Sequence, residues 1–159
     1  MKLSTQEEYG LRCLLRVGRV APEGSVTIPE LARAEGMSEA NVAKMMRVLR
    51  QGGFVKSTRG QSGGYALARA SEEIAVGHVL AVLGGRIFDA GFCGAHSGVS
   101  ALCAHDSDCS IRLVWKTIQS AIDDVLARLS LKDLLRSETE MTSWAAGKMP
   151  TLPTYGFDA

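Results

Sequence analysis

Three of the four cysteines in this 159-residue chain fall in one short stretch of sequence. Cys93, Cys103 and Cys109 lie in FCGAHSGVSALCAHDSDCSI, residues 92–111, among small residues, histidines and aspartates. The stretch has no apolar periodicity that would bury its thiols, so these cysteines are candidates for chemistry rather than for packing. Cys13 differs, because it lies within an apolar helical pattern and is expected to be a buried core thiol.

Four kinds of chemistry could use these thiols. Disulfides are disfavoured, because the N-terminus lacks the apolar segment of a secretory signal and the chain is therefore expected in the reducing cytoplasm. Zinc would need a fourth ligand, with His96 or His105 available, but C-x9-C-x5-C lacks the close cysteine pairs of structural zinc sites. A cluster-free thiol redox switch and an iron–sulfur cluster both suit thiolates on a loop. The spacing of the three cysteines fits a zinc site and an iron–sulfur cluster almost equally well.

The charge distribution separates two regions of the chain. Residues 32–69 carry seven basic and two acidic side chains, whereas residues 70–110 carry one arginine and five acids. The basic block predicts that the first region meets a polyanion such as nucleic acid. No apolar run reaches the roughly 20 residues that cross a bilayer, so no membrane contact is expected. An enzyme is disfavoured, because the sequence shows no glycine-rich phosphate loop and no Ser/His/Asp arrangement.

The residues before the cysteines predict a helix-turn-helix followed by a β-hairpin. Residues 5–20 form a predicted first helix, and TIPELARAEG a short second helix with an early proline and a final glycine. Ser38 caps a third helix, whose apolar stripe leaves polar and basic side chains on the opposite face. Two β-type runs, FVKST and YALAR, flank the connector RGQSGG, which is typical of a hairpin. This order of elements is that of a winged helix-turn-helix.

The third helix and the hairpin, or wing, are the elements that would contact double-stranded DNA. The helix is expected in the major groove and the wing along the backbone or minor groove. Side chains near the start of the helix would reach base edges, and the later Arg47 a phosphate. The predicted DNA contacts are Ser38, Asn41, Lys44, Arg47, Arg59 and Ser62.

The residues after the wing predict further helices. SEEIAVGHVLAVLGG has a helical core face and ends at two glycines. After the cysteines, an apolar stripe predicts a long helix over residues 111–136, and its natural partner is a second copy of the same helix. Residues 137–159 are rich in Ser, Thr and Gly and are predicted to be a flexible tail, with Trp144 as the one residue that could dock it.

The stretch SVTIPELARAEGMSEANVAKMMRVLRQGGFVKSTRGQSGGYALARASEEIAVGHVLAVLGG resembles the bacterial winged-helix regulators that include IscR, NsrR and RirA, the Rrf-two family. The resemblance covers about residues 1–135 and is most specific in RGQSGGYAL and IAVGHVL. It implies a homodimer that binds palindromic promoter DNA as a repressor, with its long helices crossed at the dimer interface. It also implies an iron–sulfur cluster, 2Fe-2S or 4Fe-4S, held by three cysteines.

The resemblance assigns roles to particular residues. Cys93, Cys103 and Cys109 match the three cluster thiolates, although the nine residues between the first two exceed the usual spacing. IscR-like members have a histidine three residues after the last cysteine, where this chain has Arg112. NsrR-like and redox-sensing members use a carboxylate donated by the partner subunit, and Glu8 occupies the matching place. Glu8 is therefore the predicted fourth ligand, and the alternatives are His96, His105 and Asp108.

The sequence thus predicts a mostly α-helical chain in four parts. These are a winged helix-turn-helix domain (1–85), a cluster-binding loop (86–110), a dimerisation helix (111–136) and a flexible tail (137–159). We expect a DNA-binding transcriptional regulator whose affinity follows the state of its cluster, with redox state, nitric oxide or iron status as the signal. A cluster-free thiol switch and a zinc-bearing winged-helix protein are the alternatives.

Overall fold

The computed structural model describes residues 4–21, 24–58, 63–99, 103–105 and 107–148, which are mostly α-helical. A 3₁₀ turn (Ser71–Glu73) lies between the second strand and the fourth helix. In chain order the elements are α1 (Thr5–Val20), α2 (Ile28–Glu35), α3 (Glu39–Gln51), β1 (Val55–Thr58), β2 (Gly64–Leu67), α4 (Val76–Gly84), α5 (Phe92–Ala95), α6 (Ser110–Leu126), α7 (Leu131–Leu134) and α8 (Glu138–Lys148).

Local capping explains where the first three helices begin and end. Ser4 and Thr27 each form a capping box with the glutamate three residues later, at the starts of α1 and α2. Each box satisfies backbone groups that the first helical turn leaves without a partner. Gly36 ends α2 in the left-handed conformation, φ 65°, which glycine adopts without steric cost. Ser38 then caps α3 by accepting a hydrogen bond from the Asn41 N–H.

The main core lies between α1, α2, α3, α4 and the base of the hairpin. Helices α1 and α4 approach closely at Gly10, because a Cβ atom at that position would overlap the side chain of Leu83. The predicted core thiol Cys13 is fully buried, which confirms that expectation. The other fully buried large side chains include Leu14, Leu31, Met46, Leu49, Phe54 and Ile74.

Strands β1 and β2 form the predicted antiparallel hairpin, with Val55 opposite Leu67 and Thr58 opposite Gly64. The segment before α2 adds an isolated bridge to this sheet, because Val26 and Tyr65 exchange backbone hydrogen bonds of 3.0 and 2.8 Å. The hairpin is therefore anchored to the helical core at its base. Its tip, with the predicted DNA contacts Arg59 and Ser62, lies outside the described residues.

The C-terminal half differs from the sequence-based expectation in two ways. Helix α6 ends at Leu126 rather than near residue 136, because the chain turns back and pairs with the segment before α4. In that pairing the Leu131 N–H donates to the Ile74 carbonyl at 2.8 Å, and the Val76 N–H donates to the Leu129 carbonyl at 3.0 Å.

The second difference concerns the predicted flexible tail. Residues 138–148 form helix α8, and Trp144 is only 9% exposed. Trp144 packs with Val76 and Leu129 in a small second core, so burial of one large aromatic side chain anchors the helix. Residues 149–159 lie outside the described residues. None of the described helices is long and apolar enough to cross a membrane.

Candidate nucleic-acid interface and thiol cavity

Helix α3 presents the predicted DNA-contacting face to solvent. Its apolar side is buried in the core, through Val42, Met45, Met46 and Leu49. Its opposite side exposes Asn41, Lys44 and Arg47, so the structure brings these three predicted contacts together on one face. Ser38 is also exposed, but its hydroxyl oxygen accepts the Asn41 N–H at 3.3 Å and thus has a structural role as the helix cap.

Not every basic residue of the charged block is free for a polyanion. The Arg69 guanidinium lies 5.7 Å from the centre of the Phe54 ring and donates to the Gly53 carbonyl at 3.4 Å. This contact joins the bend after β2 to the turn before β1. Sequence reasoning counted Arg69 with the basic block, but its described contacts hold the base of the wing together.

The second candidate site is a cavity of about 400 Å³ between the segment after α4 and the start of α6. All three clustered cysteines line it, and each is partly buried. Apolar and aromatic side chains supply most of the remaining wall, and two histidines and an arginine also contribute. Besides the cysteines, the lining residues are Phe88, Phe92, His96, His105, Ile111, Arg112 and Trp115.

Helix α6 fixes the position of the last thiol. Cys109 is the N-cap of α6, and its Sγ accepts a hydrogen bond from the Arg112 N–H at 3.3 Å. The Arg112 side chain also lines the cavity and donates to the His105 carbonyl at 3.3 Å. Any movement of Cys109 therefore acts directly on the first turn of α6.

Aromatic stacking organises the wall on which Cys93 lies. The Phe92 ring packs against Phe88, at a centroid distance of 5.1 Å, and lies 6.4 Å from Trp115 of α6. On its other side the His96 ring stacks on Phe92, with centroids 4.2 Å apart and planes 21° from parallel. The short helix α5, which carries Cys93, is thus positioned by side-chain packing rather than by its own few backbone hydrogen bonds.

The structure separates the predicted fourth ligand from the thiols of its own chain. Glu8 is exposed on α1 and does not line the cavity, so the assignment of its carboxylate to a second copy stays a prediction. Among the described residues, no three His, Cys, Asp or Glu side chains lie close enough together to hold one metal ion. The thiols share a cavity without converging on a point.

A polar contact that sequence reasoning missed joins the thiol segment to α6. Gln119 is 7% exposed, and its side chain accepts a hydrogen bond from the Phe88 N–H and donates to Asp123. Asp123 in turn pairs with Arg86, at the start of the segment.

At the end of α4, Gln6 of α1 donates to the Leu83 carbonyl.

The outer face of α6 is apolar and exposed. Ile111, Leu113 and Val114 are 59%, 67% and 53% exposed. The later apolar residues of the predicted stripe, Ile118 and Ile122 among them, are partly covered by the rest of the chain. The exposed apolar surface is therefore concentrated at the start of α6, beside the thiol cavity.

The helix-turn-helix, the hairpin and the exposed basic face of α3 define a winged-helix DNA-binding protein. The family model described as Rrf2, "Iron-dependent Transcriptional regulator", matches residues 3–137. The chain belongs to this Rrf2 family and is a DNA-binding transcriptional regulator rather than an enzyme. The sequence resemblance and the predicted fold class are thereby confirmed, whereas the comparisons do not specify an NsrR-like subtype.

Three relatives illustrate the similarity. Protein rrf2 of Nitratidesulfovibrio vulgaris is 34% identical over 137 residues, which are 86% of this chain and 88% of that protein. The structure of CymR, the global cysteine regulator of B. subtilis, superposes with a TM-score of 0.67 at 31% identity, covering 85% of this chain and 96% of that one. The structure of T. potens IscR gives a TM-score of 0.67 at 29% identity, covering 96% and 94%.

Proposed function

We propose that this regulator is a homodimer whose affinity for a palindromic promoter is controlled by an iron–sulfur cluster on Cys93, Cys103 and Cys109. The observation that carries the proposal is that one cavity at the start of α6 is lined by all three thiols. A repressor is the form of regulation that the family resemblance suggests. The signal would be redox state, nitric oxide or iron status.

The donor set fits an iron–sulfur cluster in its chemistry. Thiolates are the usual ligands of such clusters, and apolar and aromatic side chains form most of the cavity wall. The thiols surround about 400 Å³ and do not converge on one point, which favours a group with several metal atoms over a single zinc ion. When bound, such a cluster supplies a group that can change its redox state or lose iron.

The exposed apolar face of α6 supports dimerisation through this helix. Leu113 and Val114 lie on a regular helix and are more than half exposed, and burying such side chains contributes about 1.5–3 kcal/mol each. A second copy offers an identical face by two-fold symmetry. Two α3 helices would then meet successive major grooves of a palindromic site. In the sequence-based prediction, such a dimer would donate the Glu8 carboxylate across its interface.

The chain's own contacts provide a route from the thiols to the DNA-binding face. Cys109 caps α6, and Gln119 joins α6 to the segment that carries Cys93. The Gln6 side chain joins the end of α4 to α1, which packs against α3. A change in the thiol segment therefore acts on α6, which sets the distance between the two α3 helices.

Anaerobic purification of the full chain tests the proposal. We expect iron and acid-labile sulfide in the wild type, loss of both in the Cys93→Ser, Cys103→Ser and Cys109→Ser variants, and retention in Cys13→Ala. Gel-shift titrations on the chain's own upstream DNA, with and without the cluster, should give different affinities. Equal affinities would show that the cluster does not control DNA binding, and only the proposal of a DNA-binding dimer would remain.

The thiol switch is the second candidate, because CymR of Staphylococcus aureus, whose structure is known in an oxidised form, shares this fold. The thiol-switch hypothesis predicts a protein that contains no metal. Mild peroxide treatment should then change its DNA affinity and should lower the thiol-specific labelling of Cys93, Cys103 or Cys109. A colourless protein that contains zinc would instead support the zinc-bearing alternative. The iron, sulfide and zinc contents of one anaerobic preparation separate all three.

A further inference from the structure

The cavity contains a nitrogen donor next to the thiols. His96 follows Cys93 by three residues and lines the same cavity. His96 is the residue at which α5 ends, and its backbone N–H donates to the Cys93 carbonyl at 3.3 Å, so the two residues lie one turn apart. Cys93 and His96 are therefore presented to the cavity as a pair.

The imidazole of His96 is held in a defined position by two contacts. Its ring stacks on Phe92 at a centroid distance of 4.2 Å. Its Nδ1 lies 2.8 Å from the carbonyl oxygen of Phe92. A carbonyl oxygen only accepts hydrogen bonds, so Nδ1 carries the proton in this contact. In the neutral ring the lone pair is then on Nε2, which is the tautomer found in metal-binding histidines whose other nitrogen donates to a backbone carbonyl.

The other polar groups near the thiols are less suited to the same role. The carbonyl of His105 accepts from the Arg112 guanidinium, which places a positive charge beside that residue. Asp89 uses its carboxylate to accept the Gly91 N–H at 2.8 Å. A neutral imidazole also adds no negative charge to three thiolates in a largely apolar wall, whereas a carboxylate adds one.

We propose that His96, through Nε2, is the fourth protein ligand of the iron–sulfur site and comes from the same chain as the three cysteines. The inference rests on the proposed function, because it concerns the ligands of that same cluster. It differs from the carboxylate prediction, in which Glu8 of a second copy completes the site. With His96 as ligand, each subunit can assemble its cluster without its partner.

Pulsed electron paramagnetic resonance on the full chain tests this assignment. The protein is purified anaerobically from cells fed with ¹⁵N-histidine and reduced by one electron with dithionite. We expect a strong hyperfine coupling from a directly bound imidazole nitrogen in the wild type. The His96→Cys variant should keep iron and sulfide, because cysteine also binds iron, but lose that coupling. His78→Gln, outside the cavity, serves as the matched control and should retain it, and loss of the coupling in His105→Gln instead would overturn the assignment.

Several results would overturn the assignment. A wild-type cluster without strong imidazole coupling, or a coupling that survives in His96→Cys, removes His96 and leaves the proposed function intact. A Glu8→Gln variant that alters the spectrum while His96→Cys does not would establish the carboxylate in its place. A wild-type protein without iron and sulfide overturns both the proposed function and this inference. His96→Ala complements the series, with an expected loss of most bound iron.

Discussion

The side-chain Oε1 of Gln119 accepts a hydrogen bond from the backbone N–H of Phe88 at 3.1 Å. Gln119 is in the middle of α6, and Phe88 belongs to the segment that leads to Cys93. The Gln119 Nε2 donates to Asp123 at 2.9 Å, and Asp123 pairs with Arg86 of the same segment. One buried amide therefore binds Phe88 directly and also contacts the carboxylate that pairs with Arg86.

Replacing Gln119 with leucine should loosen that segment. The change leaves the Phe88 N–H without its acceptor, which costs about 1–3 kcal/mol when such a group stays buried. Urea unfolding should show the lower stability, and hydrogen exchange should become faster at residues 88–96. Ser120→Ala, an exposed neighbour on α6, is the control. Wild-type exchange rates in the leucine variant would show that the amide does not restrain the segment.

Substitutions on the exposed face of α3 should distinguish side chains that read bases from side chains that bind phosphates. Asn41→Ala should weaken binding to the preferred operator by about 1–3 kcal/mol and relax its sequence preference. Arg47→Ala should weaken binding to all sequences alike and lower the salt dependence of the affinity by about one unit of slope. Fluorescence anisotropy at several salt concentrations measures both. Lys116→Ala on α6 should change neither, and an effect there as large as at Arg47 would contradict the assignment.

A carboxylate on the exposed face of α6 should dissociate the proposed dimer. In Leu113→Asp, a charge replaces an apolar side chain that the interface would bury, and an unpaired charge is costly to desolvate. Sedimentation equilibrium should report a monomer, or a dimer weakened by at least tenfold. Thr139→Asp places the same group at an exposed position of α8 and should remain dimeric. Equal association of the two variants would place the interface elsewhere.

Cys13 should make the stability of the fold sensitive to alkaline pH. Burial, and then the negative charge of Glu35, raise the pKa of its thiol from 9.0 to about 11, while Arg12 acts in the opposite direction. The folded state thus holds this proton more tightly than the unfolded state. Its contribution is complete below pH 9 and falls as pH rises towards 11, by about 1.4 kcal/mol per pH unit.

Urea unfolding of the wild type and Cys13→Ala at several pH values measures this effect. The alanine variant has no thiol to titrate, so the stability difference between the two proteins should change steadily between pH 9 and 11. Every other ionisable group is common to both proteins, so its effect cancels in the difference. A difference that stays constant would assign the alkaline loss of stability to other groups.

The N-terminal half could be predicted well because its signals are local. Ser4, Thr27 and Ser38 each begin a helix with their own side chain, and Gly36 ends one through its backbone conformation. The apolar spacing within each helix then identifies the buried face. The placement of the three cysteines around one cavity also agrees with their expected grouping, although their ligand role is a proposal.

The C-terminal half depends on contacts between distant residues, which apolar spacing does not reveal. Leu129 continues the helical spacing of α6, but its carbonyl and the Leu131 N–H pair with the segment around Ile74, and this pairing ends the helix. Helix α8 was missed because its composition is polar and its stability comes from one buried residue, Trp144. Gln119 carried no signal at all, because a lone glutamine in a helix is ordinarily exposed.

Because the chain turns back after α6, the two ends of this helix are held by different contacts. One end is bound to the body of the protein through backbone pairing at Leu131 and Ile74, and the other starts at Cys109. The helix has 17 residues and is about 25 Å long at 1.5 Å per residue. A shift of about 1 Å at the Cys109 end, with the paired end held in place, would tilt the helix by roughly 2°.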